Sequence, residues 1–325
     1  MGIKNLLKFL NNNYPQLIKK IDCDNFNGKR IAIDISILLY QVIIAIRNSG
    51  ADLTNQKGDI TSHILGLFNK TICLLKMNIL PIYVFDGKPP DFKAKVIQNR
   101  RCVKQRAFTK LEEELSKEDQ IKYFKRTVSI SKTQIEECKE LLSLMGIPYI
   151  EAPEEADSQC AQLVKNGLAD GVLTEDMDIL TFGANTIYRN LTSYKKDNIK
   201  IDLKDILSTL DLTHEQFVEL CILFGCDYNE KTRDINPEII YKYYYMHKNM
   251  DDTLKSLNKT ISSSEIDNYY LYKNYFINPP IHDIKIINFN KPNIKELERI
   301  LVTKYGLVKM KIYTKMKFLE NITLY

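Results

Sequence analysis

Residues 31–46 read IAIDISILLYQVIIAI, and residues 82–86 read IYVFD. Each stretch opens on a short apolar run that ends in an aspartate, Asp34 or Asp86. Apolar runs of this length, with no polar alternation, belong to strands buried on both faces. Between them, Ser36–Ile46 and His63–Met77 space their apolar residues as helices do. Strand, helix, helix, strand is the order of a parallel sheet with helical crossovers, so the predicted class is α/β.

Further along, Ser131 and Gln134 have the spacing of a capping box. Ile135, Cys138, Leu142 and Met145 follow as a buried stripe, and Gly146 and Pro148 end the helix. A second helix runs from near Pro153 to Gly167. Val172-Leu173 is a short strand leading into the acidic turn Glu175-Asp176-Met177-Asp178. Phe217–Phe224 is an apolar helix that stops at Gly225-Cys226-Asp227. From Lys231 to Tyr325, Tyr, Asn and Lys dominate and no order of elements can be read.

Bulk composition narrows the function classes. The chain has 325 residues, 44% of them hydrophobic, enough for a full globular core. No apolar run reaches the length of a membrane span, and the N-terminal residues are neither a signal peptide nor a myristoylation signal. The 7 cysteines include no C-x-x-C pair. They read as reduced and mostly buried, in an intracellular protein. A net charge of +5 is too small to argue for a polyanionic partner. Its distribution says more: Lys88–Lys110 is rich in Lys and Arg with almost no acid.

The acids are placed where chemistry is done. Carboxyl ends of parallel strands are where open α/β sheets bind ligands, and Asp34, Asp86, Asp176 and Asp178 all follow predicted strands. In extended chain, Asp176 and Asp178 would point the same way. Glu155 and Asp157 start a helix, where spacing two does not share a face unless the turn is irregular. Helix caps are the bland alternative for all of them. It is preferred for Glu155, and ranked below a ligand role for Asp34 and Asp86, which have no evident basic neighbour. Carboxylates gathered at one sheet edge repel unless cations neutralise them. Hard oxygens without nearby His or Cys point to Mg²⁺ or Mn²⁺, and such a centre suits phosphodiester hydrolysis.

The segment from Lys88 to Lys125 has too thin an apolar stripe to pack deeply, which suggests a surface cap. Lys93, Arg100 and Lys104 recur on one helical face. A solvated face is the usual meaning of a charge run, but acid partners at i±4 are largely missing here. Arg100 could grip a phosphate bidentately. Tyr40, one to two turns after Asp34, is either a core tyrosine or a platform for a nucleobase.

Together these residues resemble the flap endonuclease and XPG-like 5′-nuclease family. The similarity rests on Met1-Gly2-Ile3 with Leu6, Ala32-Ile33-Asp34 through Tyr40-Gln41, and Val84-Phe85-Asp86-Gly87-Lys88-Pro89-Pro90. It continues through residues 141–148 (LLSLMGIP), Ala152-Pro153-Glu154-Glu155-Ala156, Thr174-Glu175-Asp176-Met177-Asp178 and Phe224-Gly225-Cys226-Asp227-Tyr228, in order from Met1 to about Asp227. The resemblance implies a PIN-like fold: a mixed, mostly parallel central sheet with helices on both faces, a helical arch or cap over the active site, and a C-terminal helix-hairpin region. It implies one nuclease domain over 1–325, with an N-terminal region 1–105, an arch 88–128, an internal region 129–250 holding the helix-hairpin at about 226–245, and an extension 251–325. It makes Asp34, Asp86, Glu155, Asp157, Asp176, Asp178 and Asp227 ligands of two Mg²⁺ ions, with Mn²⁺ able to substitute. Lys93 and Arg100 act on the scissile phosphate. DNA contacts are expected from Gly2, Tyr40, Lys88, Lys104, Lys132, Lys231 and Arg233. The implied activity is cleavage of 5′ flaps with 5′–3′ exonuclease action on branched or flapped duplex DNA, in replication and repair. The alternatives are an exonuclease-like or junction-resolving relative, or a DNA-binding protein that kept the fold without catalysis.

Several positions depart from the family. Asp157 stands where the pattern has Glu, and Asn5 where it has Gly. The helix-hairpin, usually a Gly-x-Gly-Pro loop that grips duplex backbone with K⁺, reads Arg233-Asp234-Ile235-Asn236-Pro237-Glu238. Loss of both glycines and gain of acids put that grip and its K⁺ in question. A sliding-clamp partner is allowed by the family, but no Gln-x-x-Leu-x-x-Phe-Phe box is evident. The expected protein is a monomer without membrane contact. Its expected place is the nucleus by resemblance, or a cytoplasmic replication site were the AT-rich coding genome viral.

Overall fold

Two parallel strands fed by apolar sequence pair within one compact unit of the chain, and helices cover what they would otherwise expose. The structure is a computed structural model that describes residues 2–3, 5–22, 26–191, 196–226, 235–257 and 263–322. In chain order these hold α1 (Leu6–Asn13), β1 (Lys19–Lys20), β2 (Lys29–Asp34), α2 (Ile35–Ile46), α3 (Ser62–Lys76), β3 (Ile79–Phe85), α4 (Ala94–Leu111), α5 (Lys117–Arg126), α6 (Lys132–Leu144), β4 (Tyr149–Glu151) and α7 (Ala156–Lys165). Next come β5 (Gly171–Leu173), α8 (Asp178–Thr181), β6 (Thr186–Arg189), β7 (Ile199–Asp202), α9 (Leu203–Leu210), α10 (His214–Phe224), α11 (Pro237–His247), α12 (Met250–Ser256), α13 (Ser263–Ile277), α14 (Ile294–Arg299) and α15 (Lys309–Asn321). No described helix is long and apolar enough to cross a membrane. The chain divides into two compact units, one of residues Met1–Asn25, Asp86–Val96 and Glu151–Ile284, the other of Phe26–Phe85, Ile97–Ile150 and Lys285–Tyr325.

In the second unit β2 and β3 pair in parallel, with Ile31 opposite Pro81 and Asp34 opposite Val84. β4 lies on the other side of β3. Ile31, Ala32, Ile33, Ile82, Tyr83, Val84 and Phe85 are all buried. Burial pushes the Tyr83 phenol far up its scale, and its hydroxyl shares a 2.8 Å hydrogen bond with Thr71 of α3. α2 and α3 make the crossover the sequence called for. The capping box of α6 is present, with both Ser131 and Gln134 engaged. Its buried stripe is Cys138, Leu141, Leu142 and Met145, while Ile135 is half-buried. The C-terminal region that could not be ordered from sequence supplies α14 and α15, which bury Leu297, Ile312, Met316 and Leu319. Gly146, at φ +73°, lies so close to the carbonyl of Asn290 that a Cβ there would stand 2.0 Å from it. The glycine that stops α6 thus also seats the approach to α14.

The first unit orders its strands β1-β7-β6-β5. β5 and β6 are parallel, and β6–β7 and β1–β7 antiparallel. α10 is buried along its length and packs on α13. Pairing is therefore mixed, as expected. α4 buries Ala107 and α5 no residue at all, as the reading of a surface cap required. Arg47 anchors the end of α5, donating to the Phe124 carbonyl at 2.9 Å and pairing with Asp52 at 2.8 Å. Of the described cysteines, Cys138, Cys160, Cys221 and Cys226 are buried, Cys73 is half-buried and Cys102 exposed, all as free thiols.

Gly66 sets how closely α2 and α3 approach: a Cβ there would lie 1.8 Å from Cγ1 of Val42. Gly66→Ala should therefore destabilise the protein by about 1–3 kcal/mol through overpacking. Urea unfolding checks this, and an unchanged midpoint would show that the helices separate freely.

Candidate metal centre

Each candidate acid sits where a strand or turn meets the start of a helix, and the backbone there explains how its carboxyl is spent. Asp34 ends β2 and is the N-cap of α2, accepting the Ser36 amide at 2.7 Å and the Ile37 amide at 3.4 Å. Asp86 follows β3, and its Oδ1 accepts the amide of Ala156 at 3.0 Å, serving the N-terminus of α7. Glu155 occupies the N-cap position of α7 but makes no cap hydrogen bond. Its Oε1 instead accepts from Nζ of Lys93. Of the two, Asp34 makes side-chain capping bonds, while Glu155 holds the N-cap position without one. Asp86 accepts the amide at that helix start, and Glu155 pairs with Lys93. Glu155 is still in extended backbone, with φ −84° and ψ 136°, so helical periodicity does not govern its spacing from Asp157.

Asp86 cannot drift from this place. The Gly87 amide donates to the Glu154 carbonyl at 2.6 Å and the Lys88 amide to Pro153 at 3.3 Å. A Cβ on Gly87 would come within 2.2 Å of the Ala152 carbonyl oxygen. That approach explains why the Asp86-Gly87-Lys88 and Ala152–Ala156 motifs belong together.

The acidic turn is built differently from the extended chain expected. The Asp176 amide donates to Oγ1 of Thr174 at 2.9 Å, and the Asp178 amide to Oδ1 of Asp176 at 3.2 Å. Asp178 is then the first residue of α8. The two carboxyls are neighbours because Gly2 lies against both: at φ +81°, its Cβ would stand 1.6 Å from Oδ1 of Asp176 and 2.8 Å from Oδ1 of Asp178. Gly2, expected at DNA, lies beside these two acids.

Asp34, Glu155, Asp176 and Asp178 are 7%, 6%, 8% and 7% exposed. Tyr275 of α13 responds to this charge. Burial, then Glu155, Glu154 and Asp157, hold its phenol far above the usual range. Cys221 is likewise raised, by burial first and Asp178 next. Tyr275 and Thr174 were not singled out from sequence. Thr174 carried a signal, a hydroxyl two residues before an acid in a turn, and Tyr275 carried none.

Within the first unit, the buried carboxylates of Glu155, Asp176 and Asp178 are hard donors of the kind a divalent cation takes. Among the described residues, no three acids, histidines or cysteines stand together as a closed ligand shell. Asp227 lies outside the described residues, and so do Lys231 and Arg233. Of the other candidates, Lys88 is exposed and faces Asp91 at 3.8 Å. In the second unit, Arg100 and Lys132 are exposed, on α4 and at the start of α6, and Tyr40 on α2 is 39% exposed. Lys104 lies 5.9 Å from the ring of Phe108, and burial followed by Arg47 lowers its pKa. Lys93 is not on a regular turn of α4. It closes the 3₁₀ turn Asp91–Lys93 that precedes it.

Comparison with known proteins agrees with this geometry. The XPG N-terminal domain model matches residues 1–107, and the XPG I-region model residues 146–227. Flap endonuclease 1 of Leishmania major is 42% identical over 315 residues, covering 93% of this chain and 80% of the relative. The solved structure of flap endonuclease-1 from Methanococcus jannaschii superposes with a TM-score of 0.74 at 34% identity, covering 94% of this chain and 95% of that one. The catalytic core of Rad2 in complex with DNA substrate has a TM-score of 0.75 at 24% identity, covering 98% of this chain and 100% of that one, a likeness of fold. On these matches the chain belongs to the flap endonuclease family of XPG-type, structure-specific, metal-dependent nucleases.

Proposed function

We propose that this protein hydrolyses phosphodiester bonds at 5′ flaps and at 5′ ends of branched duplex DNA, with two Mg²⁺ ions or Mn²⁺ in their place. Asp86, Glu155, Asp157, Asp176 and Asp178 would hold the ions, and the family pattern adds Asp34 and Asp227. The observation that carries this reading is buried carboxylate charge at Glu155, Asp176 and Asp178, with Lys93 paired to Glu155. When bound, such ions lower the pKa of a water and stabilise an in-line displacement.

The chain's own residues do the rest. Lys93 pairs with Glu155. Once that carboxylate is satisfied otherwise, the ammonium can turn to a phosphate oxygen. Arg100, exposed on α4, offers a planar fork for the same phosphate. Tyr40 presents a half-open ring for stacking on a terminal base. A replication and repair role, which fits the family, supports a site of action where DNA is copied, in the nucleus or at a cytoplasmic replication site.

Removing one acid tests the metal reading. Asp176→Asn keeps the acceptor for the Asp178 amide but removes a charge. It should raise the melting temperature in chelator and reduce single-turnover flap cleavage in Mg²⁺ by at least about 100-fold. Wild-type cleavage by this variant would overturn the assignment.

Lys93 and Arg100 face charge that develops on the reacting phosphate. Lys93→Ala and Arg100→Ala should each lose single-turnover rate by about 30- to 1,000-fold, with little change in flap affinity measured in Ca²⁺. A loss confined to Kd would make them ordinary phosphate contacts.

Duplex binding behind the flap is proposed to differ from the family's. Asn236 caps α11 with its own side chain, accepting the Glu238 amide at 2.9 Å, and Glu238 adds an acid to the first turn. Both occupy or repel what a phosphate or a K⁺-bridged backbone would use. Asn236→Gly combined with Glu238→Lys should tighten binding of duplex-containing flaps, most at low salt, and steepen the salt dependence by about one unit of slope. Equal affinities across salt would show that α11 stands away from DNA.

A further inference from the structure

The turn from Thr174 to Asp178 carries a third acid, Glu175, that the proposed metal set does not use. Its carboxylate turns to the end of β6. Oε2 accepts Nη2 of Arg189 at 2.9 Å, and Oε1 accepts the amide of Asn190, also at 2.9 Å. Asn190 is in left-handed backbone at φ +63°, which presents that amide. The Arg189 side chain is 10% exposed, and its Nη1 points at the sulfur of Met177 at 3.2 Å. One buried guanidinium therefore touches residues 175 and 177, on both sides of Asp176. Upstream, the Thr174 amide donates to the Tyr188 carbonyl at 3.0 Å, which extends the β5–β6 ladder into the turn.

We infer that Glu175 and Arg189 form a positioning clamp that fixes Asp176 and Asp178 for metal before any metal arrives. The inference rests on the reading of the acidic site given above. Its physical content has two parts. The planar fork of Arg189 reaches two turn residues at once, which a lysine cannot copy. Its charge also lies under a turn that carries Asp176 and Asp178, so it lessens their mutual repulsion in the metal-free protein. A buried ion pair that merely filled space would be replaceable by apolar groups without touching metal affinity. Groups that orient metal ligands are not, since their loss typically weakens metal binding by about 10- to 100-fold.

The test is calorimetric titration of the full chain with Mg²⁺ in the absence of DNA, alongside melting temperature in chelator and the Mg²⁺ dependence of flap cleavage. Arg189→Met should raise the Mg²⁺ Kd, and the Mg²⁺ needed for half-maximal cleavage, by about tenfold or more, while saturating Mg²⁺ largely restores the rate. Arg189→Lys should fall between wild type and Arg189→Met. Glu175→Gln keeps an acceptor for the Asn190 amide but loses the charge pair, so it should shift Mg²⁺ affinity the same way; it carries the test alone should Arg189→Met not fold. A lowered melting temperature with unchanged Mg²⁺ affinity in Glu175→Gln and Arg189→Lys would overturn the inference. Asp176→Asn run in parallel separates the two ideas. If it still binds Mg²⁺ as wild type does, the acidic-site reading fails and the clamp with it. If it loses Mg²⁺ while the Glu175 and Arg189 variants do not, the clamp alone fails.

Discussion

Burying an ionised carboxylate costs several kcal/mol unless charge or hydrogen bonds offset it, and this chain does so at Asp34, Glu155, Asp176 and Asp178. Much of the local architecture follows from how that cost is met. Amides at helix starts meet part of it: Ser36 for Asp34, Ala156 for Asp86, Asp178 for Asp176. Those amides exist only because α2, α7 and α8 begin where they do, with their partial positive ends toward the acids. The remainder is met by cations, Lys93 on Glu155 and Arg189 beneath the acidic turn through Glu175. Parallel strands that each pass into a helix are thus the support that lets acids be buried there, which is why strand-end acids and the α/β fold come together.

Much of this was legible in the sequence because it is local. The apolar runs at Ile31–Ile33 and Ile82–Phe85, the capping box at Ser131 and Gln134, and the stop at Gly146 each report structure through neighbours a few residues away. What was misread depends on partners distant in sequence. Glu155 looked like a cap because it precedes a helix, and only the hydrogen bond from the Ala156 amide to Asp86, 70 residues apart, shows that another carboxylate serves that helix start. Asp34 looked free of local work because its apolar run has no basic neighbour, yet its own helix supplies the donors. The stripe of α6 was read correctly at Cys138, Leu142 and Met145 but took Ile135 in place of Leu141; these two lie at opposite edges of the same face, and which edge is covered depends on packing that the helix sequence does not contain. The helices after Lys231 were unreadable since Tyr and Lys there mix apolar stems with polar tips, which blurs periodicity.

Glycine shows the same limit from the other side. Gly2 and Gly87 were visible only as letters in motifs. Their meaning is a distance: at either position a Cβ would drive into a carboxylate or a carbonyl that holds the acidic turn or Asp86. These residues act by the absence of atoms, so no composition or charge count could have found their role.

The same rule about helix starts explains how α11 differs. A helix N-terminus has amides to satisfy, and either the protein or an anion can satisfy them. Ser116, Ser131 and Thr213 do so at α5, α6 and α10, as on any surface helix. At α2 and α7 the protein supplies carboxylates, and the acid is the point of the arrangement. At α11 it supplies the carboxamide of Asn236, followed by Pro237, which has no amide to offer, and by Glu238. That start is chemically complete and slightly negative, so a phosphate gains little there. Under the proposal made above, a chain that closes this end of α11 on itself holds duplex through side-chain cations instead. Such contacts reach farther, tolerate looser geometry and depend more strongly on salt than backbone amides do. Within the described residues the departure from the family pattern at Asn236 and Glu238 is thus a side-chain cap and a first-turn acid at the start of α11, which is the ground for the proposal that duplex is held differently.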